Sequence, residues 1–384
     1  MSLRAGPTIS GVHPKEIVSF GPPPESPYST AVKADGLIYL SGTLAEDAAD
    51  PGGGRDVGTE TRLTLERMRD VLLASGSSLE HVVSVMVYLT AAEDFQPMNA
   101  AYRPFFPGDP PTRTTVITGL VVPDPRVEIA MVAVPAGTSR EIVHPQGWKR
   151  SPNPYSYAIR SGDTLFLAGL VSRKGADNAF VAGDVRVQTR TIMENARELL
   201  EAAGMTFANI VSARIYLTDA ADFAAMNEVY GEYFPSAPPA RATVQCGLAG
   251  PEAVVEITFI ASAAPRAAIG TPPSGLPLSP AVRAGNRVYV SGMLGNNAAT
   301  AGDVAAQTRE TLAKIGRTLA DAGAGPADVV EGLVYLTDPA AFPLMNKEYR
   351  EFFGKDFPAR ATVVAPLVAP DGLVEIMVTA VLAG

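Results

Sequence analysis

Arg113, Arg241 and Arg360 each close a Pro-x-Arg, open a run rich in β-branched residues, and precede by fifteen residues a glutamate set in Val-Glu-Ile: Glu128, Glu256 and Glu375. A guanidinium is planar, stays charged at any working pH and grips a carboxylate through two parallel N–H bonds, which suits a small organic acid. A carboxyl group beside such a clamp could orient a water or move a proton. Alternation along the strand sets each glutamate on the face opposite its Val and Ile neighbours. If those face a core, the glutamate faces a groove or an interface. Two plainer readings stand beside this one: arginines as solvated charges at a strand edge, or Arg–Glu ion pairs tying two strands together. Repetition favours the functional reading over both, because other charges have diverged; Arg126 is replaced by Val254 in the second copy. Asn99, Asn227 and Asn346 each follow a methionine inside a helical stretch, where asparagine is disfavoured unless its side chain has a task or a cap to make. Thr115, Thr243 and Thr362, two residues after each arginine, share its side of the strand, although threonine is also simply a good strand former.

The elements that carry these groups come as three copies of one unit. Thr61, Thr189 and Thr308 stand 128 and then 119 residues apart. The same two offsets relate Gly76, Gly204 and Gly323, then Tyr88, Tyr216 and Tyr335, and all the asparagines, arginines and glutamates above. Length varies only between Gly42, Gly169 or Gly292 and Asp56, Asp184 or Asp303, where a surface loop is expected. Within one unit the pattern predicts an apolar strand over Gly36–Gly42, a helix carrying Leu65, Met68 and Leu72 on one face, and a strand through "HVVSVMVYLT". A second helix follows with the stripe Phe95, Met98, Tyr102 and Phe106, capped in the third copy by Asp338 with Pro339 at N1. The strands of the arginine and the glutamate complete the unit. This order predicts an α+β fold with two helices on one face of a mixed sheet. Clusters of Pro, Gly and small residues place the boundaries at 1–137, 138–264 and 265–384.

Bulk properties narrow the function classes. The chain has 384 residues, 47% of them hydrophobic, and a net charge of −9. No Lys/Arg run marks a nucleic-acid footprint. No apolar run approaches the ~18 residues of a membrane span, and the first residues lack a signal-peptide core. The lone cysteine, Cys246, excludes an internal disulfide and reads as a small buried hydrophobe, so a cytoplasmic location is expected. His13, His81 and His144 lie too far apart for a metal motif, and no metal or cofactor is expected.

Each unit resembles the reactive intermediate deaminase (Rid, or YjgF-type) family. The residues that carry the resemblance are "PYSTAV" at Pro27–Val32 and "PYSYAI" at Pro154–Ile159, then "YLSG", the "YLTD"-like strand end, "F..MN..Y..FF", "PAR.TV" and "VEI". Together they span almost the whole chain three times. The resemblance implies chorismate-mutase-like domains that assemble as a trimer, with sites in clefts between neighbours. A single chain would then replace the homotrimer as a pseudo-trimer, with further association of chains left open. It also implies hydrolysis of small 2-imino acids such as 2-aminoacrylate to keto acid and ammonia, without cofactor. By position, Arg113, Arg241 and Arg360 would clamp the substrate carboxylate. Glu128, Glu256 and Glu375 would place or activate water. Tyr28, Tyr155, Ser41 and Ser291 would line the pocket with the three asparagines and threonines.

The copies depart from this pattern unequally. Ala168 stands where the others have Ser41 and Ser291, and Leu278 where they have Tyr28 and Tyr155. Thr43, Leu170 and Met293 replace the glutamine that often follows Ser-Gly in the family. Two other functions therefore stay open: a non-catalytic module that binds or senses small carboxylates, and, disfavoured by the charge, a ribonuclease.

Overall fold

The structure is a computed structural model and describes residues 15–45 and 56–383; His13 and most of the variable loop of the first copy lie outside them. Each unit forms a mixed sheet with helices packed on it. In unit one the strands run Lys15–Val18, Ala31–Ala34, Leu37–Thr43, Val127–Ala133, Val82–Leu89, Thr112–Ile117 across the sheet. Only the last two strands are parallel. A parallel pair needs a crossover, and the short helix Phe95–Tyr102 supplies it. The glutamate strand thus lies in the middle of the sheet and the arginine strand at its edge. Units two and three repeat this order, with arginine strands Ala240–Gln245 and Ala359–Val364 and glutamate strands Val255–Ser262 and Val374–Val381.

Local chemistry sets the helix limits. The long helices Val57–Ala74, Val185–Ala202 and Val304–Asp321 start where the side chains of Asp56, Asp184 and Asp303 accept backbone N–H bonds. They end before Gly76, Gly204 and Gly323, which take left-handed φ values of 77°, 70° and 78°. One expectation is corrected. Asp338 and Pro339 do not start the second helix of unit three; Asp338 caps a 3-10 turn over Pro339–Ala341, and the helix begins at Phe342. The turn takes the cap because Asp338 is extended and accepts from Ala340 N, two residues on.

Each unit has its own core under its helices. A further core, containing Tyr88, Tyr216 and Tyr335, draws residues from all three units. The sheet edges are closed between units. Gly247–Leu248 of unit two pairs with the edge of the first arginine strand, and Gly119–Leu120 of unit one with the edge of the third. At the equivalent place unit three has Pro366. Its carbonyl accepts from Gln245 N at 2.9 Å, but proline has no N–H to return, so this contact shrinks to one bridge between Val244 and Leu367. Edge strands that would otherwise be open are covered in this way.

Candidate functional site

The fifteen-residue spacing between arginine and glutamate is not a contact. Each arginine sits at the rim of its own unit and faces the glutamate of the next: Arg113 is coupled electrostatically to Glu256, Arg241 to Glu375 and Arg360 to Glu128. The three clefts therefore lie between units one and two, two and three, and three and one. In each unit one strand separates the arginine strand from the glutamate strand, and the sheet edge points the arginine towards the neighbour.

The arginines are almost fully enclosed, with 4%, 1% and 5% of their surface exposed. Aromatic rings take the place of water around them. The guanidinium carbon lies 4.9 Å from the ring centre of Tyr102 in the first cleft, 5.0 Å from Tyr230 in the second and 4.8 Å from Tyr349 in the third. Phe95, Phe223 and Phe342 lie at 5.8, 5.7 and 5.6 Å. The negative ring faces stabilise a desolvated cation. Burial still lowers the pKa of each guanidinium from its ordinary value. These aromatics read in the sequence as a helix's apolar stripe. The signal available there was tyrosine, in place of leucine, at one position in all three copies.

Little protein satisfies these cations. Arg113 Nη2 donates to Asn99 Oδ1 at 2.6 Å, and its Nη1 has no partner. Arg241 Nε, Nη1 and Nη2 all lack one, as does Arg360 Nη1. The buried hydroxyls of Thr115, Thr243 and Thr362 are likewise unpartnered. Asn227 Oδ1 has no partner, and Asn346 reaches Ser26 of unit one at 3.5 Å. A buried donor left without an acceptor costs roughly 1–3 kcal/mol, and more when charged.

The glutamates are enclosed too, and burial pushes Glu256 and Glu375 up to about 8 against the pull of Arg113 and Arg241. Glu256 accepts the backbone N–H of Thr115 and Glu375 that of Thr243, each across the cleft. Gly42, Gly169 and Gly292 explain the small residue after Ser or Ala: a Cβ there would overlap Oε1 of Glu128, Glu256 and Glu375 respectively.

Tyr155 and Tyr28 close two clefts, with ring centres 5.8 Å from the carbon of Arg113 and 5.9 Å from that of Arg360. Leu278 holds the equivalent place in the second. The hydroxyls of Ser41 and Ser291 accept the backbone N–H of Arg360 and Arg241 at 2.8 Å and donate to the carbonyls of Ser29 and Ser279. Their hydrogen bonds thus tie one unit to the next. Cavities of about 300 and 360 Å³ open beside Tyr155 and Tyr28. None of the three arginines lines these two cavities, nor the larger grooves of about 750 and 910 Å³ on the outer helices near Trp148 and Leu73.

The family model described as "Endoribonuclease L-PSP" matches residues 20–135, 149–263 and 270–382. The chain belongs to the Rid/YjgF family, as three of its domains in tandem. Among its Rid relatives, a RutC family protein of Pyrococcus horikoshii is 38% identical over 122 residues, 32% of this chain and 97% of that protein. Protein DfrA of Myxococcus xanthus is 42% identical over 125 residues, 32% of this chain and 95% of that protein. The crystal structure of a chorismatase, 17% identical, covers 78% of this Rid chain and 93% of its own with a TM-score of 0.55, a likeness of fold alone. Among the described residues no helix is long and apolar enough to cross a membrane.

Proposed function

We propose that the protein is an enamine/imine deaminase that hydrolyses small 2-imino acids in clefts between its domains. The observation that carries this reading is the second cleft, where a fully buried guanidinium with three unpartnered nitrogens faces a glutamic acid held protonated near neutral pH. That arrangement suits a ligand bearing a carboxylate at one end and a basic carbon or nitrogen at the other. The arginine takes the carboxylate. Thr243 Oγ1 and the glutamic acid face the reacting end.

The chemistry follows from the acid form. An enamine of the 2-aminoacrylate type takes a proton at C3 from the glutamic acid. Its C2–C3 π pair becomes the new C–H bond, and an iminium is left at C2. The carboxylate then accepts a proton from a water as the water's oxygen bonds to C2. The acid returns that proton to the amino nitrogen, the C–N bond breaks, and the hydroxyl proton restores the acid. The products are keto acid and ammonia. Holding both partners in a closed cleft can contribute on the order of 7–11 kcal/mol in the best cases. The single chain supplies all three clefts, which separate subunits would otherwise have to assemble, and we propose 1–137, 138–264 and 265–384 as the units that do so.

Coupling the protein to a dehydratase that releases 2-aminoacrylate tests the reading. Keto acid should appear faster than without the protein, and the Arg113→Ala/Arg241→Ala/Arg360→Ala chain should lose the acceleration; an unchanged rate refutes the assignment. Ala168 and Leu278 favour a second reading, a carboxylate sensor without turnover. It predicts calorimetric binding of keto acids with no accelerated release.

A further inference from the structure

The three clefts have diverged at two places that face each other across the domain boundary. One is the strap residue Tyr28, Tyr155 or Leu278. The other is the end of the second helix, where Arg103, Gly231 and Arg350 occupy equivalent positions, 128 and 119 residues apart. Arg103 Nη2 donates at 3.0 Å to the carbonyl of Pro152, two residues before Pro154-Tyr155 in the next unit. Arg350 Nη2 donates at 2.6 Å to the carbonyl of Glu25, three residues before Tyr28. Each arginine thus latches the segment that brings a tyrosine to the clamp. The second cleft has lost the latching arginine and the tyrosine that such a latch would position, one from each unit that builds it. Gly231 has no side chain to reach across, and Pro277 of the neighbour lies 3.7 Å from where a Cβ would stand. The clamp itself is retained: Arg241, Glu375 and the Ser291 link are all in place.

We propose that the chain carries two latched clefts for small 2-imino acids and one unlatched cleft, between units two and three, for 2-imino acids with a branched aliphatic side chain. Arg103 and Arg350 are positioning residues for Tyr155 and Tyr28. Losing a phenol and a rim cation together leaves Leu278 at the strap, a surface that matches an aliphatic group. The inference rests on the carboxylate-clamp reading above.

Calorimetry on the full chain with two unreactive stand-ins, pyruvate and 4-methyl-2-oxopentanoate, tests it. The branched acid should bind at one site per chain, vanish in Arg241→Ala and persist in Arg113→Ala/Arg360→Ala. Pyruvate binding should survive Arg241→Ala. Gly231→Arg/Leu278→Tyr should weaken the branched acid by roughly tenfold or more, the scale of pocket discrimination between side chains, and Leu278→Tyr alone, which copies the strap of units one and two, should act in the same direction. Arg103→Ala should raise the KM for the small substrate in the first cleft, with recovery in Arg103→Lys. Equal branched-acid binding in the native chain and Arg241→Ala overturns the specialisation while leaving the clamp. Absence of binding by either acid to the native chain overturns both.

Discussion

At the scale of residues, the site is a set of buried polar groups that the protein itself leaves unsatisfied. Glu256 and Glu375 show the consequence. Their folded pKa of about 8 lies above the ordinary carboxyl value of 4.5. Between those values the folded chain binds more protons than the unfolded one, so their contribution favours folding below pH 4.5 and is lost as pH rises through 8. We expect the thermal midpoint of the ligand-free protein to fall from pH 5 to pH 8, and the slope to flatten in Glu256→Gln/Glu375→Gln. Turnover that uses the acid form should decline above pH 8 by the same titration, read as the falling limb of kcat/KM against pH. A flat profile through that limb would remove the proton-donor role.

At the scale of elements, glycine marks places where two pieces of backbone or a carboxyl must come close. Gly169→Ala would press a methyl into Oε1 of Glu256 and towards Thr114. It should cost roughly 1–3 kcal/mol in denaturant unfolding, as overpacking does, and turnover in the first cleft should drop more than in the others. Gly247 is the counterpart at the unit boundary, where a Cβ would lie 2.9 Å from that of Ile117. Gly247→Val should therefore destabilise by a similar amount. The repeated glycines were legible in the sequence, whereas Asp338, read as a helix cap, caps a 3-10 turn instead. The overlap with a glutamate was not legible, because it depends on which strands become neighbours.

At the scale of the whole molecule, the copies have become dissimilar where they meet. Arg287 of unit three donates to Thr164 Oγ1 at 2.5 Å and to the carbonyl of Asp35 at 2.6 Å, and it pairs with the carboxylates of Asp35 and Asp163 at 2.9 and 3.6 Å. One side chain thus joins all three units, at a position occupied by Leu37 and Thr164 in the others. Arg214 of unit two and Glu331 of unit three form a second mixed pair at 3.6 Å, where unit one has Met86 and Ser84. Three identical subunits would repeat one charge three times around a common centre; a fused chain can set opposite charges there instead. Arg287→Ala should lower unfolding stability by about 1 kcal/mol, since it removes hydrogen bonds to Thr164 Oγ1 and the Asp35 carbonyl, while both carboxylates stay partly in water and Thr164 keeps its bond to Asp163. An unfolding curve matching the native one would show that these contacts contribute nothing.

The sequence alone determined the number of units and the order of their helices and main strands, and offered the arginines and glutamates as candidates, because periodicity is a local property that a threefold repeat displays three times. It put the sites between neighbouring units only through the family resemblance, and it did not say which glutamate each arginine meets. Only the tertiary structure decided that Arg113 faces Glu256, that Tyr102 forms the bed for a cation, and that Arg103 reaches a carbonyl of another unit. The first and the last depend on which edges of the sheets meet, between residues 143 and 49 positions apart, and the second on how the crossover helix packs against its own sheet, none of which a local pattern specifies.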